Sequence, residues 1–212
     1  MNILFVSRAF PPITGGIENQ NAALAEWLPK FAKTRFIINR HGKTALPWFL
    51  PFALFKTCLL MFRSDILVLG DGVLAPIGAV IRILFPRKKV VTILHGLDIT
   101  YSLPFYQRFW VHGFLRLLDG YFCVSTHTET QAIRHGVNAR KCFVIPNGVE
   151  TERFISKRDR DRLETILGRS LEGKIVLLTL GRLAKRKGVA WFIQHVLPRL
   201  NGNILYVVAG SG

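Results

Sequence analysis

Short apolar runs alternate along the chain with longer stretches whose apolar positions recur every three or four residues. The runs ILFVS (3–7), RFIIN (35–39), DILVLG (65–70), KVVTILHG (89–96), YFCVS (121–125) and CFVIP (142–146) read as strands. Between them, ENQNAALAEWL (18–28) and segments near 48–62, 73–85, 104–118 and 127–135 carry helical spacing. Apolar strands alternating with helices predict an α/β protein with a parallel sheet covered on both faces. Six strands and their helices make one complete nucleotide-fold domain, residues 1–150.

The pattern changes after Pro146. Residues 151–172 are polar and charge-rich, which predicts a connector carrying a short helix. A second series occupies 173–212: KIVLLTL (174–180) as strand, GRLAKRKG (181–188) as turn, VAWFIQHVLPRL (189–200) as helix and NILYVVAG (203–210) as strand. A lone βαβ unit leaves a sheet edge and much apolar surface uncovered. The expectation is therefore the start of a second domain, incomplete by itself.

Half of the 212 residues are hydrophobic and a fifth are charged, which supports a buried core and excludes a disordered chain. Lys and Arg total 29 against 13 Asp and Glu, a formal charge of +16 that calls for anionic partners: nucleic acid, acidic lipid or phosphorylated metabolites. Three scattered cysteines, Cys58, Cys123 and Cys142, fit a reducing compartment. A metal site drawn through Cys123, His127, His135 and Cys142 matches no common zinc spacing. MNILFVSRAF has no basic leader and reads as a first strand rather than a signal peptide.

Three turns carry candidate chemistry. PPITGGIE places Gly15 and Gly16 where a helix opens, so backbone can approach a ligand and free N–H groups favour an anion; a plain tight turn explains the same residues. HGLDIT puts His95 behind a strand, at the sheet edge where open α/β folds bind ligands, and a structural histidine with Asp98 as a cap is the alternative. In GRLAKRKG, Arg182 follows the strand and Lys187 adjoins the next helix, an arrangement suited to a pyrophosphate, whereas Lys185 and Arg186 read as solvated surface charge.

Taken in order, SRAFPPITGGIE, LHGLD, VSTHTET, VIPNGVETERF and GRLAKRKG resemble the family 4 glycosyltransferases of the GT-B fold. The resemblance implies two doubly wound domains facing a cleft, the first on the acceptor side and the second binding a nucleotide-diphosphate sugar. It implies that Gly15 and Gly16 lie near the donor phosphates, that His95 contacts the transferred sugar, and that Arg182 and Lys187 hold the diphosphate and stabilise its growing charge. Such enzymes retain anomeric configuration and need no metal or other cofactor. The family pattern continues past AGSG with two glutamates eight residues apart that serve the donor sugar and the ribose. Without them, the 212-residue chain is expected to transfer sugar poorly or not at all.

Between Trp27 and Ser64 no acidic residue occurs, while Lys30, Lys33, Arg35, Arg40, Lys43, Lys56 and Arg63 alternate with eight Trp or Phe. This favours an anionic membrane interface, with LPWFLPFALFKTCLLMF lying in the head-group plane, although a buried helix explains the same run. A membrane face makes a lipid-linked or saccharide acceptor and a cytoplasmic location on the inner face of the cytoplasmic membrane the matching expectations. Two rivals remain: a non-catalytic remnant that binds membrane or a partner, and a nucleic-acid binder. The second is disfavoured because the cations are spread over many segments and no binding motif occurs.

Overall fold

The computed structural model describes residues 1–154, 160–200 and 202–211. Residues 155–159 of the expected connector, with Asn201 and Gly212, lie outside them. The chain divides into two compact units, Met1–Val149 and Glu150–Gly212.

Unit 1 holds six strands: β1 (Asn2–Ser7), β2 (Lys33–Ile38), β3 (Ile66–Leu69), β4 (Lys89–Leu94), β5 (Gly120–Cys123) and β6 (Cys142–Val144). All neighbours run parallel in the order β2-β1-β3-β4-β5-β6. The chain winds one way from β1 and the other way from β3, which opens a crevice at the carboxyl ends of these two strands. Leu4 pairs with Leu67 and Val6 with Leu69 in register, so four fully buried side chains line one face at the centre of the sheet.

Five α-helices accompany these strands: α1 (Gly16–Phe31), α2 (Leu46–Met61), α3 (Ala75–Leu84), α4 (Leu97–Thr100) and α5 (Thr126–Arg134). Helices α2 and α3 bury one face of the sheet, with Phe49, Ala53 and Met61 set against Leu4, Val6 and Ile37. Helix α1 covers the other face, where Leu24 and Leu28 lie on Ile3, Phe5, Val68 and Ile93. The covering is unequal: toward β6 this second face keeps Phe143 about half exposed, in tilted contact with Phe122.

Segment 104–118, expected as an ordinary helix, is π-helical over Tyr106–Phe114 and tightens to a 3-10 turn at Leu115–Leu117. Its side chains explain the departure. Tyr106, Gln107 and Trp110 each donate a hydrogen bond to a backbone carbonyl of another segment, and meeting those partners rewinds the helix.

Cys123 and Cys142 are buried on adjacent strands. Burial, and then the neighbouring Cys142, push the Cys123 thiol up to about 12. A thiol reagent applied at pH 8 is expected to label the half-buried Cys58 first, with Cys123 and Cys142 reacting only on unfolding; equal native rates for all three would refute this.

Unit 2 contains α6 (Arg160–Leu167), β7 (Ile175–Leu180), α7 (Val189–His195) and β8 (Ile204–Ala209). The two strands pair in parallel, Ile175 with Ile204 through Leu180 with Ala209. Arg160 donates to the carbonyls of Leu171 and Lys174, and the Leu171 N–H donates to Glu164, which ties α6 to the approach of β7. The helix expected over 189–200 ends at His195, and Pro198 sits in a following 3-10 turn, where its missing N–H costs nothing.

Candidate functional site

Parallel strands deliver their carboxyl ends to one edge of the sheet, and in unit 1 that edge carries a connected polar network. β1 runs into Arg8, β3 into Gly70 and Asp71, and β4 into His95. Arg8 Nε donates to Asp71 Oδ1 at 3.0 Å and lies 2.9 Å from Oδ2, so the guanidinium meets both oxygens of a fully buried carboxylate. Asp71 Oδ1 also accepts the Val73 N–H at 3.0 Å, capping the turn that leads into α3.

His95 stands one strand over. Its ring Nε2 is 3.0 Å from the Gly70 carbonyl oxygen, which can only accept, so Nε2 carries a proton and the ring is held with Nδ1 turned away from Gly70. The His95 backbone N–H donates to both oxygens of Asp98, at 3.0 and 3.2 Å, and Gly72 N–H donates to Asp98 Oδ2 at 3.0 Å. The left-handed conformation at Gly96 (φ 97°) folds the chain back so that Asp98 meets the amide three residues before it. Burial drives the Asp98 carboxyl above its ordinary range, His95 opposes that rise, and Asp71 adds to it. Tyr106 completes the frame by donating to the Asp98 carbonyl at 2.7 Å, and burial pushes its phenol well above the usual tyrosine range.

The glycine turn reaches the same edge. Gly15 caps α1 in an extended conformation without a side-chain hydrogen bond, so the first N–H groups of this 16-residue helix have no side-chain cap. A Cβ added at Gly16 would meet no heavy atom within 4 Å, and no packing reason calls for glycine there. At Gly15 an added Cβ would collide with the Glu18 carboxylate, which folds back over the helix start and would have to swing aside for an incoming anion. One turn further, buried Asn21 donates to Ser7 Oγ at 2.9 Å and to the Ala9 carbonyl at 3.1 Å. A Cβ at Gly70 would sit 2.9 Å from the Asn21 amide. Gly70 is thus the meeting point of α1 and His95.

Arg182 and Lys187 belong to unit 2. Arg182 lies just beyond the end of β7, and Lys187 ends the 3-10 turn Lys185–Lys187 that precedes α7. Gly188, left-handed at φ 72°, turns the chain from that segment into the helix. Neither side chain has a hydrogen-bond or ion-pair partner among the described residues. Both are exposed, as are Lys185 and Arg186 in the same turn, which likewise have no side-chain partner among the described residues.

Motif reading did not assign Arg8, Asp71, Asn21 or Tyr106 a role. Asp71 follows the run DILVLG directly, and the rule that ligand groups gather at strand carboxyl ends would have found it. The Arg8–Asp71 pair spans 63 residues and leaves no local pattern.

A six-stranded parallel sheet with a polar network at its carboxyl edge, followed in the chain by a second unit with two parallel strands, has the fold of the GT-B class of α/β proteins. The sequence matches the model of Glycosyltransferase Family 4 over residues 26–153, and the chain belongs to that family. Among curated proteins it is 24% identical, over an alignment of 246 residues, to a phosphatidylinositol N-acetylglucosaminyltransferase subunit of Arabidopsis thaliana, covering 100% of this chain and 52% of the relative. Among solved structures it superposes on Anabaena Alr3699/HepE in complex with UDP-glucose with a TM-score of 0.74 at 19% identity, covering 100% of this chain and 61% of that one. The catalytic domain of starch synthase IV from Arabidopsis thaliana, bound to ADP and acarbose, gives 0.73 at 12% identity, with coverages of 99% and 68%. The chain spans about half the length of the curated relative it matches.

Proposed function

We propose that the chain takes part in transferring a sugar from a nucleotide-diphosphate sugar to a lipid-linked or saccharide acceptor, with retained anomeric configuration and without a metal. The carrying observation is the family match over residues 26–153, with Arg182 and Lys187 exposed behind β7 as the candidate ligands of the diphosphate. Family membership and the UDP-glucose complex of a structural neighbour support a donor of this class. In the reaction the bond from the sugar's anomeric carbon to the diphosphate oxygen breaks, and a bond from that carbon to the acceptor oxygen forms. The acceptor proton passes to a donor phosphate oxygen. Arg182 and Lys187 stabilise the charge left on the diphosphate, each contributing roughly 3–4 kcal/mol when well placed. His95 offers Nδ1 to a sugar hydroxyl, and the helix start at Gly16 admits a phosphate once the Glu18 carboxylate swings aside.

The exposed Ile175, Leu178 and Leu180, and the absence of any buried residue on β7 or β8 among the described residues, mean that the donor-side sheet needs further elements laid on it. Turnover in this reading requires those elements, whether on this polypeptide or on a second one.

Competition binding tests the donor class: sugar nucleotides and UDP should displace a labelled sugar nucleotide, and uridine should not. Equal competition by uridine, or no binding of any sugar nucleotide, would defeat the reading. Where turnover is reconstituted, proton NMR of the product reports the anomer, and a rate unchanged by EDTA reports metal independence. Gly16→Ala separates ligand from fold: its Tm should stay level or rise slightly, since alanine favours the helix, while sugar-nucleotide affinity falls about tenfold. A parallel fall in both would assign Gly16 to folding alone.

A further inference from the structure

Helix α2 has two apolar faces. One, formed by Phe49, Ala53, Thr57 and Met61 at four-residue spacing, is buried against the sheet and α3. Trp48, Phe52, Phe55, Leu59 and Phe62 lie on the opposite side of the wheel, and each is more than half exposed, Trp48 by 84%. A helix covering a sheet needs only the first face; on the second, Phe62 meets the Phe85 ring edge-on at 5.1 Å, and the rings of Trp48, Phe52 and Phe55 meet no other aromatic ring among the described residues.

The charge around the second face is of one sign. Lys43 precedes the helix, Lys56 sits on its outer side with its ammonium 5.4 Å from the Phe52 ring centroid, and Arg63 follows its end; all three are exposed. No acidic residue occurs between Trp27 and Ser64, so nothing there repels an anionic surface. Aromatic and aliphatic side chains flanked by lysine and arginine fit the boundary between phosphate head groups and acyl chains. The helix Lys43–Met61 is long and apolar enough to cross a membrane, but its inner face is committed to the sheet, so the fold permits it to lie on a bilayer and not to pass through one.

We propose that the outer face of α2 docks unit 1 on an anionic lipid bilayer, with the helix axis in the membrane plane and Trp48, Phe52, Phe55, Leu59 and Phe62 entering the interface. The direction of the chain adds a consequence. Helix α2 leaves β2 at the carboxyl edge of the sheet and returns to β3 at the amino edge, so its Trp48 end lies toward the edge that holds His95. A helix lying flat therefore keeps the candidate site alongside the membrane surface, within reach of a lipid-borne acceptor. The docking rests on α2 and its charges rather than on the sugar-transfer reading, and vesicle binding and nucleotide binding can fail separately.

The test uses the 212-residue chain and sedimentation with phosphatidylcholine vesicles with and without about a third phosphatidylglycerol, at physiological salt. Wild type should partition to the anionic vesicles at least tenfold better than to the neutral ones. Phe52→Ser combined with Phe55→Ser should lower that partition at least tenfold, and Lys56→Glu several-fold, with circular dichroism and Tm unchanged. Because Phe52 and Phe55 lie outside the core, loss of fold is not the expected cause; Trp48→Phe gives a second readout that leaves packing intact. Brominated lipid should quench wild-type tryptophan emission, and that quenching should drop in Trp48→Phe. Absence of sedimentation, equal binding to both vesicle types, or wild-type binding by the double serine variant overturns the proposal. So does a concentration-dependent dimer in vesicle-free solution that the same serines abolish, since the face would then serve a second copy of the chain.

Discussion

Replacing Arg182 or Lys187 by alanine is expected to weaken UDP binding by roughly 10- to 100-fold each, toward the far weaker level of uridine, and to leave that level unchanged. The magnitude follows from the loss of a hydrogen bond between charged partners, about 1.5–3 kcal/mol, converted at 1.4 kcal/mol per factor of ten. Uridine is the control, because it shares the base and ribose of UDP and lacks the diphosphate. Neither side chain has a partner among the described residues, so the alanine variants should unfold at the wild-type temperature. In a system that turns over, the same variants should lose about 100- to 1000-fold in rate, because the diphosphate carries more charge in the transition state than in the bound donor. Lys185→Ala provides the internal contrast: it lies in the same turn, reads as solvated charge, and should change UDP affinity by less than threefold. Equal losses for Lys185 and Lys187 would reduce the effect to general basic charge, and an unchanged UDP affinity in Arg182→Ala would remove the diphosphate cradle altogether.

The strand edges proposed to carry this chemistry were legible because parallel α/β chains write their strands as apolar runs. His95, Gly16 and Arg182 each stand within a few residues of such a boundary. Strand ends were less legible: β2 begins at Lys33 rather than Arg35, and β6 stops at Val144 rather than Pro146, because ladder hydrogen bonds, not hydrophobicity, decide where pairing starts and stops. The π-helix over Tyr106–Phe114 lay beyond reach, since its winding answers to carbonyls of Val73, Asp98 and Ile99 that share no local pattern with it. Segment 46–61 posed a different problem. A run apolar on every side reads equally as core or as membrane surface, and the structure shows that α2 has a buried stripe and an exposed one. The two stripes interleave in sequence, so hydrophobicity alone could not separate them.

Asp71→Ala is expected to destabilise unit 1 by about 3–5 kcal/mol, the usual cost of removing one partner from a buried ion pair. Asp71 is fully buried and the Arg8 side chain only 16% exposed, so little water is at hand to resolvate the orphaned guanidinium. The substitution also strips the acceptor of the Val73 N–H at the entry to α3. For a unit of about 150 residues this corresponds to a fall in Tm of roughly 6–20 °C. Trp110 is a built-in reporter, because its indole N–H donates to the Val73 carbonyl in the same turn. The cause is isolated by a double-mutant cycle. Arg8→Met alone leaves a buried carboxylate without its cation and should cost nearly as much, whereas Arg8→Met with Asp71→Leu removes both charges and should recover more than half of the loss. Additive losses in the double variant would mean that the two residues act separately. Recovery of stability without recovery of sugar-nucleotide or acceptor binding would assign the pair to the site as well as to the fold, because a hydrophobic replacement restores packing but supplies no guanidinium at the carboxyl edge.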